Sequence, residues 1–477
     1  MAAMTLNRKS MDMTTGPLFT KLLRFIIPLI LTHLLQQLYH AADIMVVGLS
    51  SDPDAVGAIG STGTYLGLIT NLFIGFSVGA GVVTARCIGA RDAEGTSRAA
   101  HTALCRGVLF GLGGSALGML LAEPILVAMG YTGHLLELAL RYAYIFLACM
   151  PFSSMTNFLC AILRAKGNTR TSLLVLSATG VLNILLNLFF VLVLDFSVEG
   201  VAIATGIANL TSAVILWSYL AREKDDCRLS FRNLRISKKE FKEIARVGFP
   251  AGIQNALFAV SNILIQSSIL EVNSILTPPG SAYSPVIKGN SALGSIENFI
   301  FTALSAISSA ASNFTSQNVG CKNYRRVYRV LWQLSIIGSG VALIMSFGGM
   351  LIHEPLLRLY GVENVEETLG RIAYETAFTR MIMKWPYFVF YAILNICAGM
   401  LRGLGRSTVS AVISFVGTCV FRVVWIYTIY ETFGTLESIY VSYPISWFLT
   451  GVCFLATVLI VLKKRSRAVN APEAQVA

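Results

Sequence analysis

The sequence contains an internal repeat, in which four short motifs from the first 220 residues recur in the same order between residues 245 and 450. A nine-residue motif that begins at Thr84 (TARCIGARD) returns from Thr315 (TSQNVGCKN), 231 positions later. Three further pairs follow with offsets of 231, 230 and 238, beginning at Glu123 and Glu354, at Arg141 and Arg371, and at Ile162 and Met400. Collinear repeats in an apolar chain indicate two structurally equivalent halves, as in transporters built around a central site.

The composition indicates whether this chain folds in water or in a membrane. Its mean hydropathy is +0.67, and only 13% of its residues are charged, against about 25% in an ordinary soluble domain. Stretches of about 20 apolar residues are long enough to cross a bilayer. Such stretches lie near residues 22–48, 55–85, 98–122, 136–162, 170–194 and 197–220, and again near 246–270, 291–317, 328–352, 370–400, 408–430 and 438–462. We therefore predict an all-α polytopic membrane protein with twelve transmembrane helices in two six-helix lobes.

The number of helices in each half determines the symmetry of the repeat. Because each half has an even number of spans, both halves begin on the same face of the membrane, and the repeat is parallel. The N-terminal segment, the even-numbered loops and the C-terminal tail together hold 29 of the 37 Lys and Arg residues. An excess of these residues marks the cytoplasmic side. We therefore expect both termini to be cytoplasmic.

Five segments follow from this topology. They are a cytoplasmic N-terminal segment (1–21), an N-lobe (22–220), a cytoplasmic linker (221–245), a C-lobe (246–462) and a basic cytoplasmic tail (463–477). The linker is the only long charged stretch, and we expect it to be a solvated connector with a short amphipathic helix around Lys238–Arg246. Cys227 lies in this linker and is expected to react with thiol reagents only from the cytoplasmic side.

The charged and metal-binding residue types argue against several classes of function. The net charge of +12 lies mostly in short juxtamembrane loops, where topology and anionic lipids account for it. We therefore expect membrane lipids and small-molecule substrates as partners, and no nucleic acid. The nine Cys residues form no CxxC motif, and the five His residues are spread over several helices and both faces of the membrane. The sequence thus predicts no enzyme, no cofactor and no clustered metal site.

The first helix carries the most informative polar pattern. His33, Gln36, His40 and Asp43 stand at i, i+3, i+7 and i+10, which places them on one face of a helix. Polar groups inside a bilayer are costly unless they face a cavity or a partner. A carboxyl at this depth is expected to take up a proton near neutral pH, which suits a coupling-ion site. The alternative is that Asp43 caps a neighbouring helix or sits at the headgroup level.

A proline lies further down the same helix. Pro28 has no backbone N–H, which frees the carbonyl of Arg24 and favours a bend. We predict a hinge at Pro28, although a static kink filled by packing has the same signature.

The fifth predicted helix contains two amides on one face, Asn183 and Asn187. Two amides at i and i+4 can hydrogen-bond a carboxylate, an ion-bound water or each other. They can equally hold neighbouring helices together.

The second half has its own intramembrane charges. Glu297 lies inside the eighth helix, and Arg380 and Lys384 in the tenth and Arg422 in the eleventh are its natural partners. We predict that Glu297, Arg380 and Lys384 line the C-lobe side of a substrate cavity together with Gln254 and Asn262. A structural ion pair is the alternative.

These motifs resemble those of a known family. The first helix reads P-x7-QQLYxxxDxxxVG from Pro28 to Gly48, and paired T-x4-G-[AC]-[RK] and LR-x-x-G motifs follow the second, eighth, fourth and tenth helices. The pattern, which covers about residues 15–462, resembles the multidrug and toxic compound extrusion (MATE) family of bacterial efflux transporters. The resemblance implies two lobes that alternate between inward- and outward-facing states in a bacterial cytoplasmic membrane. It also implies export of mostly cationic organic compounds in exchange for H⁺ or Na⁺.

The resemblance carries over to individual residues. The aspartate of the family's first helix matches Asp43, its fifth-helix asparagine matches Asn183, and the threonine of its GVAxAT motif matches Thr205. Many members have Asp where this chain has Asn187, so a Na⁺ site with two carboxylates loses support and a proton on Asp43 gains it. We predict Asp43 as the coupling-ion site, with Na⁺ still possible there, and Asn183, Asn187 and Thr205 around it. Gln36 and His40 are predicted to face the substrate cavity.

A second function belongs to the same superfamily. A flippase for lipids or lipid-linked oligosaccharides would use a strongly cationic cavity to hold phosphate, and Arg380, Lys384 and Arg422 leave that alternative open. We expect a monomer. The sequence does not name the exported compound.

Overall fold

The computed structural model describes residues 11–50, 52, 54–277, 284–363 and 368–470. These residues form helices without β-strands, as expected for a lipid-embedded chain that must satisfy its backbone hydrogen bonds within each segment. The N-terminal half contains α1 (Leu18–Val47), α2 (Ala55–Gly89), α3 (Ala93–Ala128), α4 (Gly133–Ala148), α5 (Met150–Ala165), α6 (Thr169–Leu188) and α7 (Val198–Arg222).

The second half repeats this order with more interruptions. It contains α8 (Lys238–Leu276), α9 (Pro285–Gly320), α10 (Tyr324–Leu351), α11 (His353–Arg358), α12 (Thr368–Lys384), α13 (Phe388–Gly403), α14 (Ser407–Ser414), α15 (Phe421–Trp425), α16 (Glu431–Phe433) and α17 (Leu436–Asn470). Short π-helical stretches continue α6 at Phe189–Val193 and flank α15 at Phe415–Val420 and Ile426–Tyr430.

Each of the twelve predicted transmembrane helices corresponds to a helical segment of the structure. In the part of the chain that the structure describes, nine continuous segments are long and apolar enough to cross a bilayer, and the pair α4 and α5, bent by 47°, makes a tenth. The remaining two are α8 and α9, with 39 and 36 residues. Both exceed the roughly 20 residues that a span requires, but α8 starts in charged residues and α9 buries many Ser, Thr and Asn side chains.

The backbone reproduces the repeat seen in the sequence. Residues with left-handed backbone angles recur in pairs: Arg91 and Lys322, Gly130 and Gly361, and Gly167 and Gly405. Their offsets of 231, 231 and 238 are those of the sequence motifs. Each pair occupies a turn between equivalent helices, so the two halves share connections as well as helices. The backbone therefore repeats at the offsets that the sequence motifs predicted.

Close helix packing in the second half depends on small residues. A Cβ atom on Gly399 would lie 2.3 Å from the backbone oxygen of Ser308, and one on Gly403 would lie 2.6 Å from that of Ser312. These two glycines stand one helical turn apart on α13 and let α9 approach at backbone contact, as small-xxx-small pairs do in membranes.

The residues form two compact units whose limits differ slightly from the predicted lobes. One contains the chain up to Ile253 together with Ser316–Asn323, and the other contains Gln254–Thr315 and the chain from Tyr324. The first turns of α8 and the last turn of α9 therefore pack with the first half of the chain.

The segment before α1 is packed against this first unit. The backbone N–H of Met13 donates to Gln317 Oε1 at 3.1 Å, and Asn318 Nδ2 donates to the Met13 carbonyl at 3.2 Å. Gln317 also donates to the carbonyl of Ala165 at 2.7 Å. Gln317 and Asn318, which belong to the second copy of the nine-residue motif, thus form hydrogen bonds with the segment before α1.

The linker is more ordered than a solvated connector. The helix expected around Lys238–Arg246 is not a separate surface helix but the beginning of α8. The backbone N–H of Ser230 donates to His101 Nε2 at 3.1 Å, and Arg106 Nη1 donates to the carbonyl of Phe241 at 2.7 Å. Cys227 is only 2% exposed, and burial, followed by the carboxylate of Asp225, raises the pKa of its thiol to about 12.

The burial of Cys227 changes the expected labelling experiment. Variants that keep a single cysteine, either Cys321 in the exposed turn after α9 or Cys227 in the linker, would be treated with a membrane-impermeant maleimide. We expect Cys321 to react in inside-out vesicles and not in intact cells, because the positive-inside rule places this turn in the cytoplasm. Cys227 should react at least tenfold more slowly until the protein is denatured, because the thiolate is the reactive form. Labelling of Cys321 in intact cells would invalidate the predicted topology.

Candidate functional site

A buried carboxylate in the N-terminal half lies in a hydrogen-bonded chain of polar side chains. Asn187 Nδ2 donates to Asp43 Oδ1 at 2.6 Å and to Asn183 Oδ1 at 3.4 Å. Asn183 Nδ2 in turn donates to Thr205 Oγ1 at 3.2 Å. Asp43 is 7% exposed and Asn187 is fully buried. The structure therefore brings together all four residues predicted to form the coupling-ion site, from α1, α6 and α7.

Close contact between α1 and α6 makes this arrangement possible. A Cβ atom on Gly180 would lie 1.9 Å from the ring of Tyr39, so only glycine fits there. The hydroxyl of Tyr39 donates to the carbonyl of Ser177 at 3.2 Å. Asp43 lies one turn further along α1 and reaches Asn187 on the same side of α6.

The network leaves one buried acceptor without a donor. The amide nitrogen of Asn187 points at two oxygens, so its own Oδ1 faces elsewhere, and that atom has no hydrogen-bond partner. An unmet acceptor beside a carboxylate is costly in the membrane. If the Asn187 amide turned over, a proton on Asp43 or a small cation would satisfy this oxygen.

Of the remaining first-helix predictions, His40 lies beside this network, whereas Gln36 and Pro28 lie further back along α1. His40 Nδ1 is 3.8 Å from Asp43 Oδ2, and the His40 side chain is 70% exposed. Gln36 is also exposed on α1. Pro28 is buried inside α1, which continues past it without a break from Leu18 to Val47.

The second half contains a buried ion cluster built on one carboxylate. Glu297 Oε2 on α9 accepts from Arg380 Nη2 at 2.5 Å and from Lys384 Nζ at 2.6 Å, both on α12. Arg380 Nη1 also donates to the side chain of Asn290 at 2.5 Å. The predicted grouping of Glu297 with Arg380 and Lys384 is thus present in the structure. Glu297 is 0% exposed and Lys384 1%, so these charges are held inside the second unit.

Aromatic residues of α17 complete this cluster. Lys384 Nζ lies 4.0 Å from the centre of the Tyr443 ring, and the guanidinium of Arg422 lies 4.1 Å from it. The hydroxyl of Tyr440 donates to Asn290 Oδ1 at 3.1 Å. Sequence reasoning missed Asn290, Tyr440 and Tyr443. The i, i+3, i+7 spacing of Tyr440, Tyr443 and Trp447 was the available signal, because it places three aromatic rings on one helix face.

Gln254 and Asn262 were also predicted to line the C-lobe side of the substrate cavity. Gln254 Nε2 donates to Ser414 Oγ at 2.6 Å, and Gln254 Oε1 accepts from Arg402 Nη1 and Ser410 Oγ, each at 3.3 Å. Gln254 therefore belongs to a separate network that includes Arg402, a half-buried arginine of the LR-x-x-G motif after the tenth predicted helix. Asn262 lies in α8, but its side chain is outside the described residues.

Comparisons with known proteins agree with the fold and the motifs. The family model MatE matches residues 28–189 and 283–428, well over half of the chain. Among curated proteins, the chain is 26% identical over 377 residues to the "Probable multidrug resistance protein YoeA" of Bacillus subtilis, covering 77% of each chain. It is 22% identical over 452 residues to the "Multidrug export protein MepA" of Staphylococcus saprophyticus, covering 94% of each.

The fold is also that of a solved structure described as an outward-facing multidrug resistance MATE family transporter of the MOP superfamily. The two superpose with a TM-score of 0.85 at 20% sequence identity, over 96% of this chain and 99% of the other. The helices, the repeat and the family match define a polytopic transporter. The chain belongs to the MatE family.

The ion cluster predicts a stability effect. Glu297→Gln would leave two buried cations without a carboxylate, a loss that costs about 3–5 kcal/mol when a buried pair is broken. We expect a clear fall in the melting temperature of the detergent-purified protein. Adding Lys384→Met to Glu297→Gln should recover part of it, because one unpaired cation then remains instead of two. A Glu297→Gln protein that melts at the wild-type temperature would rule out this account.

Proposed function

We propose that this protein exports organic compounds, mostly cations, by antiport with H⁺ or Na⁺, and that Asp43 carries the coupling ion while the two lobes alternate in access. The observation that supports this most directly is the Asp43, Asn187, Asn183 and Thr205 network. It combines one carboxylate with a buried amide oxygen that has no donor. The relatives named as multidrug export proteins favour drug efflux over the flippase alternative.

The geometry favours a proton over Na⁺ as the coupling ion. A hard cation collects several oxygen ligands, yet one oxygen of Asp43 already accepts from Asn187, and Asn183 Oδ1 accepts from the same amide. The oxygens of the pair that accept no hydrogen bond are Asp43 Oδ2 and Asn187 Oδ1, and the latter faces away from Asp43 while the amide nitrogen donates to the carboxylate. A proton needs only Asp43 Oδ2, whereas a metal ion needs several oxygens.

Antiport follows if ion and substrate bind preferentially to different conformations. A ligand shifts a conformational equilibrium only through its differential affinity for the two states. A protonated Asp43 can donate to Asn187 Oδ1 once that amide turns over, whereas the charged form must accept from the amide nitrogen. The two forms therefore favour different contacts between α1 and α6, and Pro28 gives α1 a place to bend.

Separately imposed gradients test the choice of ion. Purified protein in liposomes would receive a pH gradient, a Na⁺ gradient or neither, and efflux of a cationic dye would be followed by fluorescence. We expect the pH gradient alone to drive transport, with less than about a twofold effect of Na⁺. Transport that occurs only with an inward Na⁺ gradient would refute proton coupling and restore the Na⁺ alternative at Asp43.

Replacement of the carboxylate tests its role directly. Asp43→Asn keeps the size and the hydrogen-bonding capacity of the side chain but cannot exchange a proton. The protein should fold, because a neutral amide is less costly to bury than a carboxylate, whereas gradient-driven efflux should fall at least tenfold. Asp226→Asn, the same substitution at an exposed linker position, is the control and should transport normally. Full activity of well-folded Asp43→Asn protein would move the coupling site elsewhere.

A further inference from the structure

The charged side chains of the linker are separated by sign. The linker contains eight basic and five acidic residues. Four of its five carboxylates form ion pairs with basic residues that lie outside the linker. These pairs are Glu223 and Asp225 with Lys166 at 3.2 and 2.5 Å, Glu240 with Arg98 at 3.1 Å, and Glu243 with Arg86 at 3.8 Å. The linker therefore turns most of its negative charge towards the helices of the first unit.

The basic residues of the linker face outwards. All eight are exposed, and across the described ranges of the chain none of them forms an ion pair. Arg228, Arg232 and Arg235 follow one another at intervals of three or four residues. Asp226, the fifth carboxylate, is exposed as well, but it offsets only one of the eight charges. The outer surface of the linker thus carries an excess of positive charge that the protein itself does not balance.

The linker runs back along the sides of two helices. The backbone N–H of Leu229 donates to the carbonyl of Leu220 on α7 at 3.2 Å, and that of Ser237 donates to Thr102 Oγ1 on α3 at 3.1 Å. Thr102 is nine residues from the start of α3, or about 13 Å along the helix axis.

The length of α3 indicates where this level lies in the membrane. A helix of 36 residues is about 54 Å long, whereas the hydrocarbon core is about 30 Å thick. The difference, shared between the two ends of α3, leaves about 12 Å on each side. The linker therefore meets α3 close to the boundary between the hydrocarbon and the headgroups.

Exposed apolar side chains lie on the same segment. Phe231 is 76% exposed and Ile236 is 48% exposed. One edge of Phe231 packs on Trp217 near the end of α7, with ring centres 4.5 Å apart. Trp is enriched where helices leave a membrane. A segment that combines bases with exposed Phe and Ile is unfavourable in water but suits the boundary between headgroups and acyl chains.

We propose that the linker is a binding surface for anionic phospholipids of the cytoplasmic leaflet, with Phe231 inserted at the level of the upper acyl chains and Arg232 and Arg235 on the lipid phosphates. Clusters of four to eight bases next to the cytoplasmic end of a transmembrane helix attract anionic lipids, and the guanidinium group can bind two phosphate oxygens at once. The bound lipid would hold the linker against α3 and α7. This inference is independent of the exported compound and of the coupling ion.

Titration with two lipids tests the preference for negative charge. The detergent-purified full-length protein would receive phosphatidylglycerol or phosphatidylcholine with the same acyl chains, and native mass spectrometry would count the bound lipids. We expect the first phosphatidylglycerol to bind at least about tenfold more tightly, because each base near an anionic lipid contributes about fivefold. Equal binding of the two lipids would overturn the proposal.

A double substitution locates the site. Arg232→Gln with Arg235→Gln should weaken phosphatidylglycerol binding at least tenfold and leave phosphatidylcholine binding unchanged. Arg358→Gln with Arg371→Gln removes two exposed charges from the opposite ends of the helices and should change neither. Equal losses in both double variants would mean that net charge, and not the linker, attracts the lipid.

Melting temperatures separate lipid binding from a role in folding. A ligand that binds the folded protein raises its melting temperature. Phosphatidylglycerol should therefore stabilise the wild type and not the Arg232→Gln, Arg235→Gln protein, while the two proteins melt together in detergent alone. A lower melting temperature of that variant without lipid would show that the two arginines support the fold, and would contradict their assignment to lipid.

Substitution of the aromatic residue distinguishes a lipid from a soluble phosphate. Phe231→Ser should weaken binding of both lipids, because the apolar contact does not depend on the headgroup. Glycerol phosphate, the soluble headgroup fragment, should not displace phosphatidylglycerol even at a hundredfold excess. Displacement by glycerol phosphate, together with normal lipid binding by Phe231→Ser, would identify a site for soluble phosphates and refute the membrane assignment.

Discussion

The constraint on which the rest of this structure depends is that a charge inside a bilayer cannot be left alone. Water is absent there, and an unpaired ionic group costs several kcal/mol. The two halves of the chain meet this requirement differently. In the first half, Asp43 has a neutral amide partner, Asn187, which supplies a hydrogen bond but no opposite charge. In the second half, Glu297 has two cationic partners on one oxygen, which holds it in the charged form. In the proposed antiport the first carboxylate would exchange a proton, whereas the second stays in its ion pairs.

The repeat provides the same backbone twice, but the charged residues break the symmetry. By the offset between Pro28 and Pro250, the position equivalent to Asp43 in the second half is Ile265. By the offset between the two nine-residue motifs, the position equivalent to Glu297 in the first half is Leu66. Ile265 and Leu66 are both buried. Each half therefore carries its carboxylate where the other has an aliphatic side chain, so one scaffold offers two sites of different charge.

Periodicity and motif offsets were sufficient to predict the helices and the repeat, because both depend on spacings that are visible in the sequence. The grouping of Asp43 with Asn183, Asn187 and Thr205 came instead from the resemblance to the MATE family, since these residues lie on three different helices. The aromatic partners of the C-lobe cluster were missed, since Tyr440 and Tyr443 approach Arg380 and Lys384 only through packing of α17 against α12. The network around Gln254 was also missed, because Gln254, Arg402 and Ser414 lie on three different helices and meet only through packing. The burial of Cys227 could not be read from a charged stretch, because it depends on how the linker folds back against α3 and α7.

The orientation of one amide connects charge to helix packing in the proposed exchange. While Asp43 is charged, Asn187 can donate to Asp43 and to Asn183 at the same time, and Asn183 donates onward to Thr205. A protonated Asp43 becomes a donor itself and meets the unpaired Oδ1 of Asn187 only if the amide or the helix turns. Turning the amide gives up its bond to Asn183, and the contact between α6 and α7 through Thr205 then loses its fixed orientation. A single proton can thus alter contacts among three helices, which is the differential stabilisation that coupled transport requires.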